Sequence, residues 1–235
     1  NFTWFDSFDG LNGLINFLEY QSNCKNKMYL GCISSNNLLT IPVIQDYFPS
    51  IVEQRNYTGG TTYLFSKNIQ PVSDKIADIL DFESEPSKSW SPLSKKYLCD
   101  SLSFSGSYSY LIDSLTEWSP SFSIYLNEII SNKNNFIDIS IKVKCNINPE
   151  ETLLVAALES KKGTIHWSGT SFGDFYKNNK WFTVHHSVKL SDIRYKNPQL
   201  KVYIWTKGKN HLYIDDIEIK ERKGNPVIYG LIEKI

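Results

Sequence analysis

The residues best suited to chemistry in this chain are aromatic and polar rather than nucleophilic. Trp118, Trp167, Trp181, Trp205, Tyr108 and Tyr176 carry flat apolar rings. Such rings stack on the C–H faces of a pyranose, while nearby amides and carboxylates bond its hydroxyls. The segment IHWSGTSFGDFYKNNKW, residues 165–181, gathers these types most densely. It reads as a long loop between two strands, with Trp167, Tyr176 and Trp181 as stacking rings and Asp174 and Asn178 as hydroxyl-bonding groups. A sandwich core draws on the same residue types, because large side chains must fill a gap of roughly 10 Å between sheets.

Covalent and phosphate chemistry find no such support. GlyGlyThrThr at 59–62 lacks the lysine and spacing of a phosphate loop, and neither GxSxG nor HExxH occurs. His185 and His186 are adjacent, so on a strand they point to opposite faces and cannot share a metal. One is expected to pack or bond on a sheet face and the other to be solvated. Glu159 and Asp174 form a carboxylate pair only in name, since nothing fixes their separation. The chain alone is therefore read as non-catalytic. Cys24, Cys32, Cys99 and Cys145 lack zinc-ligand spacing. Cys24 with Cys32, and Cys99 with Cys145, are the two disulfides open to them; four free thiols is the alternative. AsnPheThr at 1–3 and AsnTyrThr at 56–58 match the N-glycosylation acceptor, which has meaning only in a eukaryotic secretory setting.

These residues must be held by elements of two kinds. Residues 1–85 read as an α/β segment of unassigned role. Leu11, Leu14, Ile15 and Leu18 follow helical spacing after a candidate N-cap, Asp9. A strand at 28–33, helical character from Leu38 to Tyr57 interrupted by Pro42 and Pro49, a strand at 61–65 and a helix over 71–82 complete it. That helix would bury Val72, Ile76, Ile79 and Leu80. Residues 86–96, rich in Ser, Pro and charge, read as a linker, so a domain junction is expected between Phe82 and Lys96. From 97 to 221 the period becomes two. IDISIKVKC alternates Ile137, Ile139, Ile141 and Val143 against Asp138, Ser140, Lys142 and Lys144, the last two expected to be exposed. Alternation likewise turns Val202 and Ile204 inward and Tyr203 and Trp205 outward. About eight such strands, joined by turn-forming residues, fit an antiparallel jelly-roll β-sandwich. Residues 222–235 form a tail, and the fold class is α+β overall.

Composition narrows the partners. Lys and Arg number 25, as do Asp and Glu, for a formal net charge of zero. Without a basic stripe, nucleic acid is excluded as a partner. No stretch reaches the roughly 18 apolar residues of a membrane span, and a membrane tether upstream of the chain stays open. The chain starts at Asn1 with no Met and no signal pattern, which reads as a trimmed terminus. Heavy use of Asn, Lys, Ile, Ser, Tyr and Phe suggests an AT-rich genome and a bacterial cell-envelope source.

Two segments carry a resemblance. SFSGSYSYLI (103–112) resembles the second-strand region of carbohydrate-binding modules with a galactose-binding-like jelly roll, and LKVYIWTKGKNHLYIDDIEIKE (200–221) resembles their closing hairpin. The resemblance covers 97–221. It implies non-catalytic binding of a glycan or cell-surface polymer outside the cytoplasm, whether secreted, periplasmic or at the cell surface. It also implies a structural Ca²⁺ where first and last strands meet, with Asp215, Asp216 and Asp100 as candidate ligands. The acidic residue that the family usually places in its first strand has no match in LeuSerPheSer at 102–105. Two other functions fit the same elements: the extramembrane portion of a membrane-embedded glycosyltransferase-like protein, and a structural or protein-interaction sandwich.

Overall fold

The computed structural model describes residues 8–32, 39–69, 75–194, 196–207 and 211–229. The N-terminal elements are α1 (Gly10–Cys24), β1 (Lys27–Cys32), α2 (Thr40–Gln45), β2 (Ser50–Tyr57) and β3 (Gly60–Ser66). They are followed by β4 (Lys75–Leu80), β5 (Leu98–Cys99), β6 (Ser109–Ile112), β7 (Phe122–Tyr125), α3 (Leu126–Ile129), β8 (Phe136–Lys144), β9 (Thr152–Ser160), β10 (Gly163–Ser171), β11 (Phe182–Lys189), β12 (Gln199–Thr206), β13 (Leu212–Arg222) and α4 (Pro226–Tyr229).

Two antiparallel sheets form a β-sandwich, one ordered β10-β9-β12-β7 and the other β11-β8-β13-β6-β5. From β7 onward the chain changes sheet at every connection except the β9–β10 hairpin, a jelly-roll course. Ile137, Ile139, Ile141 and Val143 are all buried, as their alternation predicts. They face Leu154, Ala156 and Leu158 of β9 and Leu200, Val202 and Ile204 of β12 in one apolar cluster.

In the N-terminal part, α1 buries Leu14, Ile15 and Leu18. Asp9 occupies its N-cap position, but its side chain makes no capping bond; its carbonyl accepts from Gly13 N–H at 3.2 Å. The helical reading of 38–57 is correct only for α2. Beyond Pro49 the chain is extended, and β1-β3-β2 form a separate antiparallel sheet.

The helix expected over 71–82 is corrected. Pro71 and Val72 lie outside the described residues, and 75–80 is a strand paired with β13, Leu80 opposite Ile217 and Lys75 opposite Glu221. Ile76 and Ile79, assigned to a buried helical face, are exposed. Their spacing suits a helix locally, but the hydrogen-bonding edge of β13 offers a ladder that a helix cannot use. The linker is corrected too. Phe82 is buried and stacks on Tyr110 at 5.5 Å, and buried Trp90 lies 5.2 Å from Phe122 with its indole N–H donating to Asp78. Sheet and core thus run across the expected junction, and a sandwich beginning at residue 97 omits one of its own strands.

The N-terminal part covers the outer face of the larger sheet, which explains why that face is not polar and solvated. Asp138, read as a solvent-facing residue, is buried in a pair with Arg222 (Nε to Oδ2, 2.5 Å) and accepts from Ser187 Oγ at 2.7 Å. His185 bonds Asp46 at 2.8 Å, and Asn225 Nδ2 donates to the carbonyls of Tyr57 and Gly60. Lys142 and Lys144 are half-buried rather than exposed. Lys142 donates to Thr183 Oγ1 at 2.9 Å and sits 4.8 Å from the Phe104 ring centre.

Candidate functional site

The face left open is the outer side of the four-stranded sheet. Its registers set out a grid. One row across β10, β9, β12 and β7 reads Trp167, Ala157, Lys201, Ser123. The next reads Gly169, Val155, Tyr203, and the third Ser171, Leu153, Trp205. Residues 117–119 run beside β12 beyond the end of β7: Thr206 N–H donates to Glu117 O, Ser119 N–H donates to Ile204 O, and Trp118 bridges Trp205. Three tryptophans and a tyrosine therefore share one face.

Their geometry is fixed by one another. Trp118 and Trp205 stack with centres 5.7 Å apart and planes 11° apart. Trp118 meets Tyr203 edge-on at 5.4 Å, and Trp167 meets Trp205 at 6.4 Å and 81°. Trp167 Nε1–H donates to the Tyr203 hydroxyl at 3.2 Å, reaching across β9, where Val155 and Ala157 are buried on the same outward side. Trp205 Nε1–H donates to Glu117 Oε1 at 3.2 Å, and Lys207 sits 4.6 Å from the Trp205 ring centre. A Lys201–Glu159 ion pair at 2.7 Å and the exposed Tyr125 complete the rim. Trp118 and Trp167 remain 51% and 47% exposed. Indoles that open to water on a protein otherwise able to bury Trp90 mark a contact surface.

Behind this face, β10 turns Ser168 and Thr170 inward, where both hydroxyls bond the His186 ring (2.9 and 2.7 Å). Burial pushes His186 down to about 4, so it is neutral at physiological pH. Both histidines are thus buried on opposite faces, and the expectation that one would be solvated is corrected.

The loop predicted over 165–181 is not one loop. Its first part is strand β10, and this is the strand the sequence pattern hid: its inward positions are His166, Ser168 and Thr170, the last two bonded to His186, so apolar alternation is absent. Trp167 does reach an open face. Asp174 is exposed in a short 3-10 turn, where partial burial holds its carboxyl above the usual range. Tyr176 is half-buried, edge-on to Phe182, and its hydroxyl is spent on Asn146 O and Asn178 Oδ1, both at 3.0 Å. Trp181 leads into the other sheet and packs edge-on against Phe104 at 5.8 Å. None of these four touches Trp167 or its aromatic neighbours. The partners of Trp167 are Tyr203 and Trp205, which in turn hold Trp118, and outward alternation in KVYIW was the signal for both of them.

The residues named for calcium lie beside the 102–107 turn and in the loop after β5. Asp215 is buried, with Oδ2 accepting from Phe104 N–H (2.8 Å) and Ser105 N–H (3.3 Å) and Oδ1 from Asp216 N–H (2.8 Å). Asp216, at φ 43°, accepts from Ser105 Oγ. Among the described residues no three His, Cys, Asp or Glu side chains group as metal ligands, and Asp100 is exposed apart from this pair. The Asp215 carboxylate is held in place by these three N–H donors. It pins the 102–107 turn from one side, while Glu83 accepts from Ser107 and Tyr108 N–H on the other. All four cysteines are free, and burial pushes Cys32 and Cys145 to about 11. Asn1 to Thr3 lie outside the described residues; Asn56 is exposed beside the β2–β3 turn.

No protein-family model and no curated protein matches the chain. Solved structures similar to it include the CBM22-1 xylan-binding domain of Paenibacillus barcinonensis Xyn10C (18% identity, TM-score 0.43, 64% of this chain and 97% of that one). Another is the C-terminal family 22 carbohydrate binding module of Clostridium thermocellum Xyn10B (16%, 0.43, 66% and 98%). A family 16 carbohydrate binding module-2 matches at 10% and 0.35 over 52% and 82%. Likenesses this remote carry no weight for what the chain binds, which must be read from its own side chains.

Proposed function

We propose that the outer face of the four-stranded sheet binds carbohydrate without chemistry, and that the chain works outside the cytoplasm on a glycan or cell-surface polymer. The observation that carries this is the half-exposure of Trp118 and Trp167 on one face with Tyr203 and Trp205. Ring planes meet the apolar faces of sugars, and the rim supplies both donors and acceptors for hydroxyls: Lys201, Lys207, Glu117 and Glu159. Interlocking hydrogen bonds hold the rings in place before any ligand arrives, which lowers the ordering cost of binding.

Magnitude follows from area. A ligand that covers the exposed halves of two indoles buries about 100 Å² on each. At about 25 cal/mol per Å² this gives about 5 kcal/mol. Hydrogen bonds add about 0.5–1.5 kcal/mol each, and association entropy removes several. The balance is an affinity of micromolar to millimolar order.

The test is a glycan array probed with the full chain and with Trp118→Ala/Trp167→Ala. The expected result is at least tenfold weaker binding to the hits in the double variant and unchanged binding in Tyr176→Ala. Binding of undiminished strength in the double variant removes this face from consideration.

A further inference from the structure

The three-stranded sheet of the N-terminal part has an outer face of its own. A bulge sets it up. Between Ile51 and Glu53 the β2–β3 register shifts, leaving Val52 without a partner on β3 and restoring alternation beyond it. Glu53 then pairs with Leu64, Arg55 with Thr62 and Tyr57 with Gly60. Bulges re-aim side chains in this way beside binding sites. On the far side of β3, Tyr29 stands opposite Leu64 and Gly31 opposite Thr62. The result is an open pocket of about 120 Å³ between Tyr29 and Tyr57, with Arg55, Glu53, Thr62 and Leu64 in its walls and floor. Gly31, next to Thr62, leaves open space where any other residue would place a side chain.

We propose that this pocket is a second saccharide site, taking a neutral sugar residue. Tyr29 and Tyr57 are 76% and 50% exposed and offer ring planes with hydroxyl tips. The Arg55–Glu53 pair between them is solvent-exposed. Such pairs contribute about 0–1 kcal/mol, so both partners turn to ligand hydroxyls at little cost. One cation and one anion cancel, which disfavours a charged ligand of either sign and suits a ring that both donates and accepts. A chain with two glycan faces, one on the sandwich and one on the N-terminal sheet, gains avidity on a polymer that neither face has on a short oligosaccharide.

The pocket stands independently of the tryptophan face, so it is tested with that face removed. The full chain carrying Trp118→Ala/Trp167→Ala is titrated with neutral xylo-, cello- and galacto-tetraose while the Arg55 Nε–Hε resonance is followed by ¹⁵N NMR. A saturable shift is expected with at least one of them, abolished by Tyr29→Ala/Tyr57→Ala and by Gly31→Leu, which fills the open space beside Thr62 without altering either wall. Folding is checked by the unchanged dispersion of the remaining amide signals. On the parent polymers, the chain with both faces intact is expected to bind at least tenfold more tightly than either single-face variant. No saturable Arg55 shift with any of the three sugars overturns the proposal. Because the tryptophan face is absent from the protein tested, that outcome leaves its reading intact.

Discussion

Asp46 and His185 meet at 2.8 Å although 139 residues separate them in sequence. The contact ties the N-terminal part to the outer face of the larger sheet. Burial pushes the Asp46 carboxyl up, but attraction to His185 and the hydrogen bond outweigh it, and the net pKa is below its ordinary value of 3.8.

The sign of the pH dependence follows. A carboxyl held low in the folded state favours that state when ionised. Its stabilisation is complete above the unfolded value and is lost as pH falls through the lower folded value. Asp46→Asn is therefore expected to destabilise the protein at pH 7 by about 1.5–3 kcal/mol, the range for a hydrogen bond to a charged group. Urea midpoints at pH 7 and near pH 3 should show the gap between wild type and variant shrinking in acid. A gap of equal size at both pH values would mean that the charge of Asp46 contributes nothing.

Truncation tests the unity of the fold. A fragment of residues 97–222 lacks β4 and the buried side chains of Leu80, Phe82 and Trp90. Each large core side chain is worth about 2–5 kcal/mol, against a total stability of about 5–15 kcal/mol. It also bares the Asp138–Arg222 pair and the apolar surroundings of His185. The fragment is expected to be insoluble or to lack a cooperative thermal transition, whereas the full chain shows one. A soluble, cooperatively melting fragment would restore the junction between Phe82 and Lys96.

How far the sequence discloses this structure depends on what each strand buries. IDISIKVKC was legible because its inward residues are all β-branched and apolar, and KVYIW was legible for the same reason. β10 was not, because Ser168 and Thr170 face the core and are satisfied by His186, a partner 16 or 18 residues away. β4 was misread because its pairing partner lies over 130 residues on. Trp167 lies on an open face, but on a strand and among other residues than its neighbours in sequence. Proximity in sequence offered Asp174, Tyr176 and Asn178, and the sheet instead offered Tyr203, Trp205 and Trp118 from two other segments.

Strand facing gives a graded pair. Ile141 is fully buried, and Ile141→Ala is expected to cost about 2–5 kcal/mol through lost packing and the cavity left behind. Lys142 points to the covered side, with Thr183 and the Phe104 ring as partners. Lys142→Ala is therefore expected to cost about 0.5–1 kcal/mol, more than an ordinary surface change, because a cation–π contact is lost. Chemical denaturation of the two variants checks the ranking. A Lys142→Ala cost equal to that of Ile141→Ala would mean the register is wrong.

The tryptophan face can be checked without any ligand. Two indoles at 5.7 Å with nearly parallel planes couple their electronic transitions, so the stacked pair Trp118 and Trp205 should give an exciton couplet in the far-ultraviolet circular dichroism. Trp118→Phe removes one partner and should weaken the couplet, leaving the part that Trp167 and Trp205 give at 6.4 Å, with little loss of stability, since the Trp118 ring is half-exposed. Glu117 acts on this signal through Trp205, whose indole N–H it accepts. Glu117→Ala frees that ring and should weaken the couplet, while Glu117→Gln keeps an accepting oxygen and should preserve it. The same ordering should appear in glycan affinity. One lost hydrogen bond of about 0.5–1.5 kcal/mol corresponds to a weakening of about two- to tenfold for Glu117→Ala. Glu117→Gln should bind nearly as wild type. If Gln and Ala weaken binding equally while the couplet survives in Gln, Glu117 contacts the sugar through its charge rather than by holding Trp205.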